Sequence, residues 1–195
     1  MKCDFWWEKT DRSDKPRVLL IGDSITRAYR PKVNEILKEK AYIDMLATSK
    51  AVDNPSLLRE LGYILMHEDF KYKVIHFNNG LHGGHLSDEE YYRGYEEAVK
   101  YIRDNCGGAR ILLTLSTPVT VAGAVDLIDT EQTQKVINRN AAVKNIGSKY
   151  NLEIDDLYTP MLRKSGYRVE DGLHYNEDGE RAQAEIVAAK LLEFI

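Results

Sequence analysis

A serine that follows a short apolar run is the first residue of this chain with the means to do chemistry. Ser24 closes the segment Gly22–Ser24, which comes directly after the apolar residues Val18–Ile21. Ser24 follows a predicted strand and opens a turn or a helix, and a serine at a helix N-terminus lies among backbone N–H groups that stabilise negative charge. Ser24 is therefore a candidate nucleophile whose own N–H can stabilise an oxyanion. The same segment also suits Asp23 or Ser24 as a simple helix cap.

The residues that could activate this serine lie in the segment 170–179, which reads EDGLHYNEDG. Histidine can accept a serine proton at neutral pH, and a carboxylate bonded to its Nδ1 fixes the tautomer and stabilises the charged ring. Asp171 precedes His174 by three residues, so a tight turn would bring its carboxylate back to the ring. The alternative is a turn in which Asp171 caps a helical turn and His174 is exposed to solvent.

A glycine-rich segment supplies candidate hydrogen-bond donors. The segment 77–85 reads FNNGLHGGH and follows a third apolar run. Gly80 permits close approach of the backbone to a ligand and can offer its own N–H. The side chains of Asn78, Asn79 and His82 can also donate to an oxyanion. These residues are therefore candidates for stabilising a negatively charged intermediate.

Two other interpretations of that segment stay open. One is a metal site formed by His76, His82 and His85, although His76 falls inside the apolar run and no cysteine is near. The other is a glycine-rich loop without chemistry. The two cysteines of the chain, Cys3 and Cys106, form neither a CxxC motif nor a disulfide framework.

The apolar pattern predicts the elements that hold these segments. Short apolar runs predict five strands, at Val18–Ile21, Tyr42–Leu46, Val74–Phe77, Ile111–Leu115 and Leu152–Ile154. Amphipathic stretches predict a helix with Pro31 in its first turn, and helices over 54–67, from a cap at Asp88 to 105, over 130–150 and from 176 onwards. This alternation predicts a mostly parallel sheet with helices on both faces. Ligands bind such sheets at the carboxyl ends of the strands.

The motifs together resemble those of the SGNH hydrolases, the GDSL esterase/lipase family. GDSIT at 22–26 and DGLH at 171–174 match the first and last motifs of that family, and the resemblance spans 18–195. It implies an α/β fold, a three-layer αβα sandwich with a flavodoxin-like five-stranded parallel sheet. It also implies a catalytic triad, with Ser24 as nucleophile, His174 as base and Asp171 as the partner of the base.

The third motif of the family is altered in this chain. The family sequence Gly-x-Asn-Asp aligns with Gly80–Gly83, so His82 stands in the place of the oxyanion asparagine and Gly83 in that of the aspartate. A histidine can donate an N–H to an oxyanion, so the role can survive. The resemblance therefore implies an oxyanion hole formed by Ser24, Gly80 and His82.

The second motif of the family is also altered. The segment 47–55, ATSKAVDNP, lacks the expected glycine, so an N–H from Ser49, Lys50 or Ala51 would have to take its place. Further candidates for binding substrate are Asp23, Asn78, Asn79 and His85.

The resemblance implies hydrolysis of acyl esters through an acyl-enzyme, without a metal or organic cofactor. Tyrosines and histidines near the expected site favour a small-molecule ester with a short acyl group, such as an acetylated carbohydrate. Tyr91, Tyr92 and Tyr95 are assigned to helix packing rather than to sugar stacking. One alternative is a non-catalytic carbohydrate- or ligand-binding module. Another is a phosphate-binding domain that uses the 22–24 turn, which leaves Asp171 and His174 without a role.

Length, composition and charge indicate the number of domains, the kinds of partner and the location of the protein. The chain has 195 residues, of which 43% are hydrophobic and 30% charged, as in one globular domain. We assign residues 16–195 to a single hydrolase domain and 1–15 to an extension whose aromatic residues pack on it. The net charge of −4 argues against a nucleic-acid or anionic-membrane surface. The polar start, without the apolar centre of a signal peptide, predicts a cytoplasmic location, and no run reaches the ~20 apolar residues of a membrane span.

Overall fold

The computed structural model describes residues 3–67 and 70–195 and contains a six-stranded sheet. Its strands are β1 (Asp4–Trp6), β2 (Arg17–Gly22), β3 (Tyr42–Ala47), β4 (Tyr72–Phe77), β5 (Arg110–Thr114) and β8 (Glu153–Asp155). The order across the sheet is β1-β3-β2-β4-β5-β8, with β1 antiparallel to β3 and the other neighbours parallel. A separate antiparallel hairpin consists of β6 (Thr120–Val121) and β7 (Ala124–Ile128).

Helices cover both faces of the sheet, as predicted. They are α1 (Ser24–Leu37), α2 (Pro55–Leu65), α3 (Asp88–Asn105), α4 (Thr130–Tyr150), the short α5 (Tyr158–Met161) and α6 (Glu177–Leu191). Because side chains alternate along a strand, Val18 and Leu20 of β2 pack with α1 and α6, whereas Leu19 and Ile21 pack with α2, α3 and α4. The three-layer αβα sandwich is therefore confirmed. Among the described helices, none is long and apolar enough to cross a bilayer.

Two predicted helix starts were wrong. Asp23 caps α1, so the helix begins at Ser24 and Pro31 lies in its interior rather than in its first turn. Ser87, not Asp88, caps α3, because it forms a reciprocal capping box with Glu90. The first correction matters for function, since it places Ser24 as the first residue of a helix.

The sheet has one strand more than the five predicted. The additional strand, β1, lies in the segment expected to be an extension and pairs with the edge of β3. Buried polar contacts hold the same segment: Asp44 of β3 accepts hydrogen bonds from the Glu8 N–H at 2.8 Å and from the Arg17 guanidinium at 2.9 Å. Phe5 and Trp7 are partly buried against the core, as expected, but the same expectation was wrong for Trp6, which is 50% exposed. The domain boundary at residue 16 stays a prediction.

Candidate active site

Ser24 stands at the carboxyl end of β2, where the strand turns directly into α1. Asp23 caps the helix, because its Oδ1 accepts a hydrogen bond from the Ile25 N–H at 2.9 Å. The turn is tight at Gly22, where a Cβ would lie only 2.0 Å from Thr26 Oγ1, so glycine is the residue that fits there. The cap is thus supplied by Asp23, and the Ser24 hydroxyl is left for another partner.

That partner is His174, although 150 positions separate the two residues. Ser24 Oγ lies 2.8 Å from His174 Nε2, and His174 Nδ1 lies 2.6 Å from Asp171 Oδ2. Each ring nitrogen therefore has its own partner. When Nδ1–H donates to the carboxylate, Nε2 is left to accept the serine proton. The structure thus brings together the three residues that were predicted as nucleophile, base and orienting carboxylate.

The Asp171 carboxylate is held in its ionised form by local hydrogen bonds. Burial raises its pKa, but the His174 ring and the backbone N–H groups of Leu173 and His174 outweigh burial and lower the pKa below its usual value. Both N–H groups donate to Asp171 Oδ1 at 2.8 Å. The negative charge thus persists at neutral pH, where it can stabilise a protonated His174.

The β6–β7 hairpin supports the turn that carries Asp171 and His174. Thr120 donates to the Gly172 carbonyl from its N–H at 2.9 Å and from its Oγ1 at 3.1 Å, and the Gly123 N–H donates to the Glu170 carbonyl at 2.7 Å. The sequence pattern did not predict this hairpin, because its strands are short and their register shifts.

Arg168 ties the same turn to the chain after β5. Its buried guanidinium donates to the Leu173 carbonyl at 2.8 Å and to the Pro118 carbonyl, and it lies 3.9 Å from the centre of the Tyr175 ring. Burial lowers the pKa of Arg168. Sequence reasoning also missed this residue, because an arginine that binds carbonyl groups needs no particular residue as its partner.

The turn leaves no room for a side chain at Gly172. Its φ is +73°, and a Cβ would lie 2.1 Å from the Thr120 carbonyl oxygen. We expect Gly172→Ala to displace His174 and lower kcat/KM by about 100-fold, since a misplacement of ~1 Å can cost that much. Gly166→Ala is the matched control, because a Cβ there meets nothing within 4 Å. Equal kcat/KM values for the two variants in an ester-hydrolysis assay would contradict this prediction.

Both asparagines of the glycine-rich segment use their side-chain amides within the protein. The Asn78 amide nitrogen donates to the Thr114 carbonyl at 2.8 Å and to Ser116 Oγ at 3.1 Å. The Asn79 amide nitrogen donates to the Lys50 carbonyl at 2.8 Å. These bonds join the loop after β4 to the loops after β5 and β3. Direct binding of substrate by Asn78, Asn79 or the buried cap residue Asp23 stays a prediction.

The two histidines of that segment have different surroundings. His82 is partly exposed, and its carbonyl accepts a hydrogen bond at 2.8 Å from Arg139. His85 is exposed and its Nε2 lies 2.8 Å from Asp53 Oδ2, in the loop before α2. The donation of His82 to an oxyanion, and a contact of His85 with substrate, therefore stay predictions.

His76, the third histidine of the metal-site alternative, lies in the core. Its Nε2 is 2.9 Å from Asp155 Oδ2 and 2.7 Å from Thr114 Oγ1. Because both partners contact the same ring nitrogen, this buried cluster is not a second proton relay, which would use both nitrogens. Across the described parts of the chain, no three His, Cys, Asp or Glu side chains group as metal ligands.

The loop after β3 holds the three residues considered as the source of the missing glycine N–H. The Lys50 N–H donates to Thr48 Oγ1 at 3.1 Å. A donor role for Ser49, Lys50 or Ala51 stays a prediction. Gly80 lies in the loop after β4, and a larger residue would not fit at this position without displacing Ser116, since a Cβ would lie 1.5 Å from Ser116 Oγ.

A small cavity lies between the first turn of α1 and the carboxyl ends of β4 and β5. Its volume is about 20 Å³. Its lining mixes polar and apolar groups and includes Ile25, Thr26, Asn78, Leu81, Ser116 and Leu157. Asp23 and Ile25, the neighbours of Ser24 in sequence, contribute to the lining, whereas Ser24, Asp171 and His174 do not.

Comparisons with known proteins identify the fold. No protein-family model and no curated protein sequence matches the chain. A GDSL-like lipase from Bacteroides thetaiotaomicron has 14% identity and a TM-score of 0.65, with 94% of this chain and 93% of that chain covered. An acetyl xylan esterase has 16% identity and a TM-score of 0.68, with 90% and 99% covered. A carbohydrate acetylesterase from Sinorhizobium meliloti has 12% identity and a TM-score of 0.69, with 93% and 100% covered.

These likenesses extend over nearly the whole of each chain, and their low identities limit what they show to the fold. The comparisons thereby confirm the fold that the GDSIT and DGLH motifs implied. The protein has the fold of the GDSL-like lipases and acetylesterases with which it was compared.

Proposed function

We propose that the protein is a serine esterase that uses Ser24, His174 and Asp171 as a catalytic triad. The observation that carries this proposal is the continuous hydrogen-bond chain from Ser24 Oγ through both nitrogens of His174 to Asp171. His174 Nε2 accepts the serine proton as Oγ attacks the ester carbonyl carbon. The tetrahedral intermediate then collapses, His174 returns the proton to the leaving alcohol, and an acyl-enzyme remains.

Water completes the reaction by the same route. His174 Nε2 accepts a proton from water as the oxygen attacks the acyl carbonyl, and it then returns that proton to Ser24 Oγ as the carboxylic acid leaves. In both steps the carbonyl oxygen becomes an oxyanion, for which we propose the N–H groups of Ser24 and Gly80 and the ring of His82 as donors. These steps use only side chains and backbone groups of this chain.

We propose a short acyl group, such as acetyl, on a polar alcohol such as a carbohydrate. Two proteins of the same fold, an acetyl xylan esterase and a carbohydrate acetylesterase, act on substrates of this kind, which supports the proposal.

The proposed function is tested by a series of p-nitrophenyl esters from acetate to octanoate, together with acetylated xylan oligosaccharides. We expect kcat/KM to be highest for acetate and to fall with chain length, and we expect release of acetate from the oligosaccharides. A fluorophosphonate probe distinguishes the alternative of a non-catalytic binding module, because only an esterase becomes labelled at Ser24. A protein that hydrolyses none of these esters and stays unlabelled would rule out the proposed function.

His82→Ala tests the altered third motif. We expect kcat to fall by about 100-fold with little change in KM, since removal of one oxyanion donor typically has this effect. His85→Ala provides the contrast, because His85 is paired with Asp53 and is a candidate for substrate binding, so any effect should fall on KM. If His82→Ala retained the wild-type kcat while Ser24→Ala was inactive, the alignment of His82 with the oxyanion asparagine would be wrong.

A further inference from the structure

Arg139 of α4 is a buried arginine that binds the backbone of the glycine-rich loop. It is 5% exposed, and the ion pairs found among the described residues do not include it. Its guanidinium instead donates to three loop carbonyls, those of Gly80 at 2.8 Å, His82 at 2.8 Å and Gly83 at 2.5 Å. A buried charge is costly unless it is hydrogen-bonded, so Arg139 and this loop conformation depend on each other.

Tyr91 of α3 holds the preceding carbonyl from the same side. Its hydroxyl donates to the Asn79 carbonyl at 2.8 Å, and its side chain is 1% exposed. The Arg139 guanidinium lies 4.7 Å from the centre of the Tyr91 ring, so the two side chains form one packed unit. The carbonyls of Asn79 and Gly80 therefore both point towards α3 and α4.

The direction of these carbonyls determines the direction of the N–H groups that follow them. All described peptide bonds are trans, and in a trans peptide the C=O and the next N–H point in opposite directions. The N–H groups of Gly80 and Leu81 consequently point away from α3 and α4, towards the layer that contains α1. The Leu81 side chain confirms that the loop reaches this layer, because it packs against the α1–α6 core.

These two N–H groups are unpaired. In the described parts of the chain, no hydrogen bond within the protein uses the N–H of the buried Gly80 or of the partly exposed Leu81. The side of the loop opposite Tyr91 and Arg139 is the side on which α1 begins with Ser24, and Leu81 lines the cavity there together with Ile25. Unpaired N–H groups beside a nucleophile are the usual means of stabilising an oxyanion.

We propose that Tyr91 and Arg139 are positioning residues for the oxyanion hole, and that the Leu81 N–H is a donor beside that of Gly80. This inference rests on the proposed esterase function. Neither side chain touches the substrate. Each fixes one peptide plane, Tyr91 the plane between Asn79 and Gly80 and Arg139 the plane between Gly80 and Leu81. The positive charge of Arg139 also polarises its peptide, which strengthens the N–H as a donor.

The expected signature is a loss of kcat without a change in KM. The oxyanion forms only on the way to the transition state, so a misdirected N–H weakens binding of that state and not of the ground-state ester. We expect Tyr91→Phe to lower kcat about tenfold, less than the loss of a complete donor, because the peptide remains present but less well directed. For Arg139→Lys, which can retain only part of the carbonyl contacts, we expect a larger decrease.

Tyr95→Phe is the matched control. Tyr95 is a fully buried tyrosine one turn further along α3, and its hydroxyl donates at 3.4 Å to the Phe77 carbonyl, which lies in β4 and not in the loop. Arg103→Lys is the control for Arg139→Lys, since the Arg103 guanidinium also lies over a tyrosine ring, at 4.9 Å from the centre of Tyr150. Both control variants should keep the wild-type kcat.

The experiment measures kcat and KM for p-nitrophenyl acetate, the melting temperature, and the number and rate of sites labelled by a fluorophosphonate. Counting labelled sites separates a slower active site from a smaller folded fraction. A decrease in kcat per labelled site for Tyr91→Phe, with KM and the Tyr95→Phe control unchanged, supports the proposal.

A Tyr91→Phe kcat within twofold of wild type, or equal to that of Tyr95→Phe, would overturn it, whether or not Arg139→Lys folds. A wild-type protein that neither hydrolyses the ester nor becomes labelled would instead overturn the proposed function, and this inference with it.

Discussion

Ser24→Ala is expected to lower kcat for ester hydrolysis on the order of 10⁶-fold, because loss of the nucleophile removes the covalent pathway. The helix should be unaffected, since Asp23 and not Ser24 supplies its cap. The measurement is steady-state hydrolysis of p-nitrophenyl acetate, with intact-mass analysis after fluorophosphonate treatment. Wild-type protein should gain one adduct at Ser24, and the variant none.

Ser56→Ala is the control for this experiment. Ser56 also lies in the first turn of a helix that follows a strand, but its N–H is bound by the cap residue Asn54. It should retain the wild-type kcat and the adduct at Ser24. Retained hydrolysis in Ser24→Ala would show that another group carries the reaction. A wild-type protein that binds acetylated oligosaccharides without cleaving them would favour the binding-module alternative.

Asp171→Asn is expected to lower kcat about 10⁴-fold, the size of effect known where the carboxylate of a serine–histidine–aspartate triad becomes an amide. An amide nitrogen facing His174 Nδ1 favours the tautomer with its proton on Nε2, which cannot accept the serine proton. The effect should be confined to kcat, because Asp171 contacts His174 and the turn backbone and has no described role in binding substrate.

Glu170→Gln is the control, since it makes the same change of charge one residue away and the described contact of Glu170 is through its backbone carbonyl. The pKa of Asp171 is lowered in the folded protein, so the stability that its contacts contribute is present at neutral pH. That contribution is lost only as the pH falls through the lowered pKa, below the ordinary range for aspartate. Equal kcat values for the two variants between pH 6 and 8 would contradict the role of Asp171.

The sequence was sufficient to predict the five parallel strands of the sheet and the turn from Asp171 to His174, whereas the approach of Ser24 to His174 was implied by the resemblance of the two motifs to a known family. Buried parallel strands consist of nearly continuous apolar runs, and Val18–Ile21 and Val74–Phe77 both lie within observed strands. The short spacing from Asp171 to His174 limits the geometry to a tight turn, which the structure contains. These features depend on local patterns, so one sequence was enough to detect them.

The supporting contacts could not be predicted in the same way. Arg139 and Arg168 bind backbone carbonyls, and every residue has a carbonyl, so their partners leave no pattern in the sequence. Asn78 and Asn79 illustrate the same limit, because an amide that binds a neighbouring loop is indistinguishable in sequence from one that binds substrate. Strand β1 was missed because three residues, partly exposed, are too short to show a period.

The position of β1 has a consequence for the behaviour of the protein in solution. β3 is buried along its length, and among the strands of the described residues β1 alone pairs with its outer edge, at residues 45–47. A chain that started at residue 16 would present β3 as a bare, apolar edge strand, which is a template for pairing with other molecules. We therefore expect such a truncated chain to aggregate, as light scattering would show, even though every residue of the triad is retained. In this respect the first strand protects the protein against self-association.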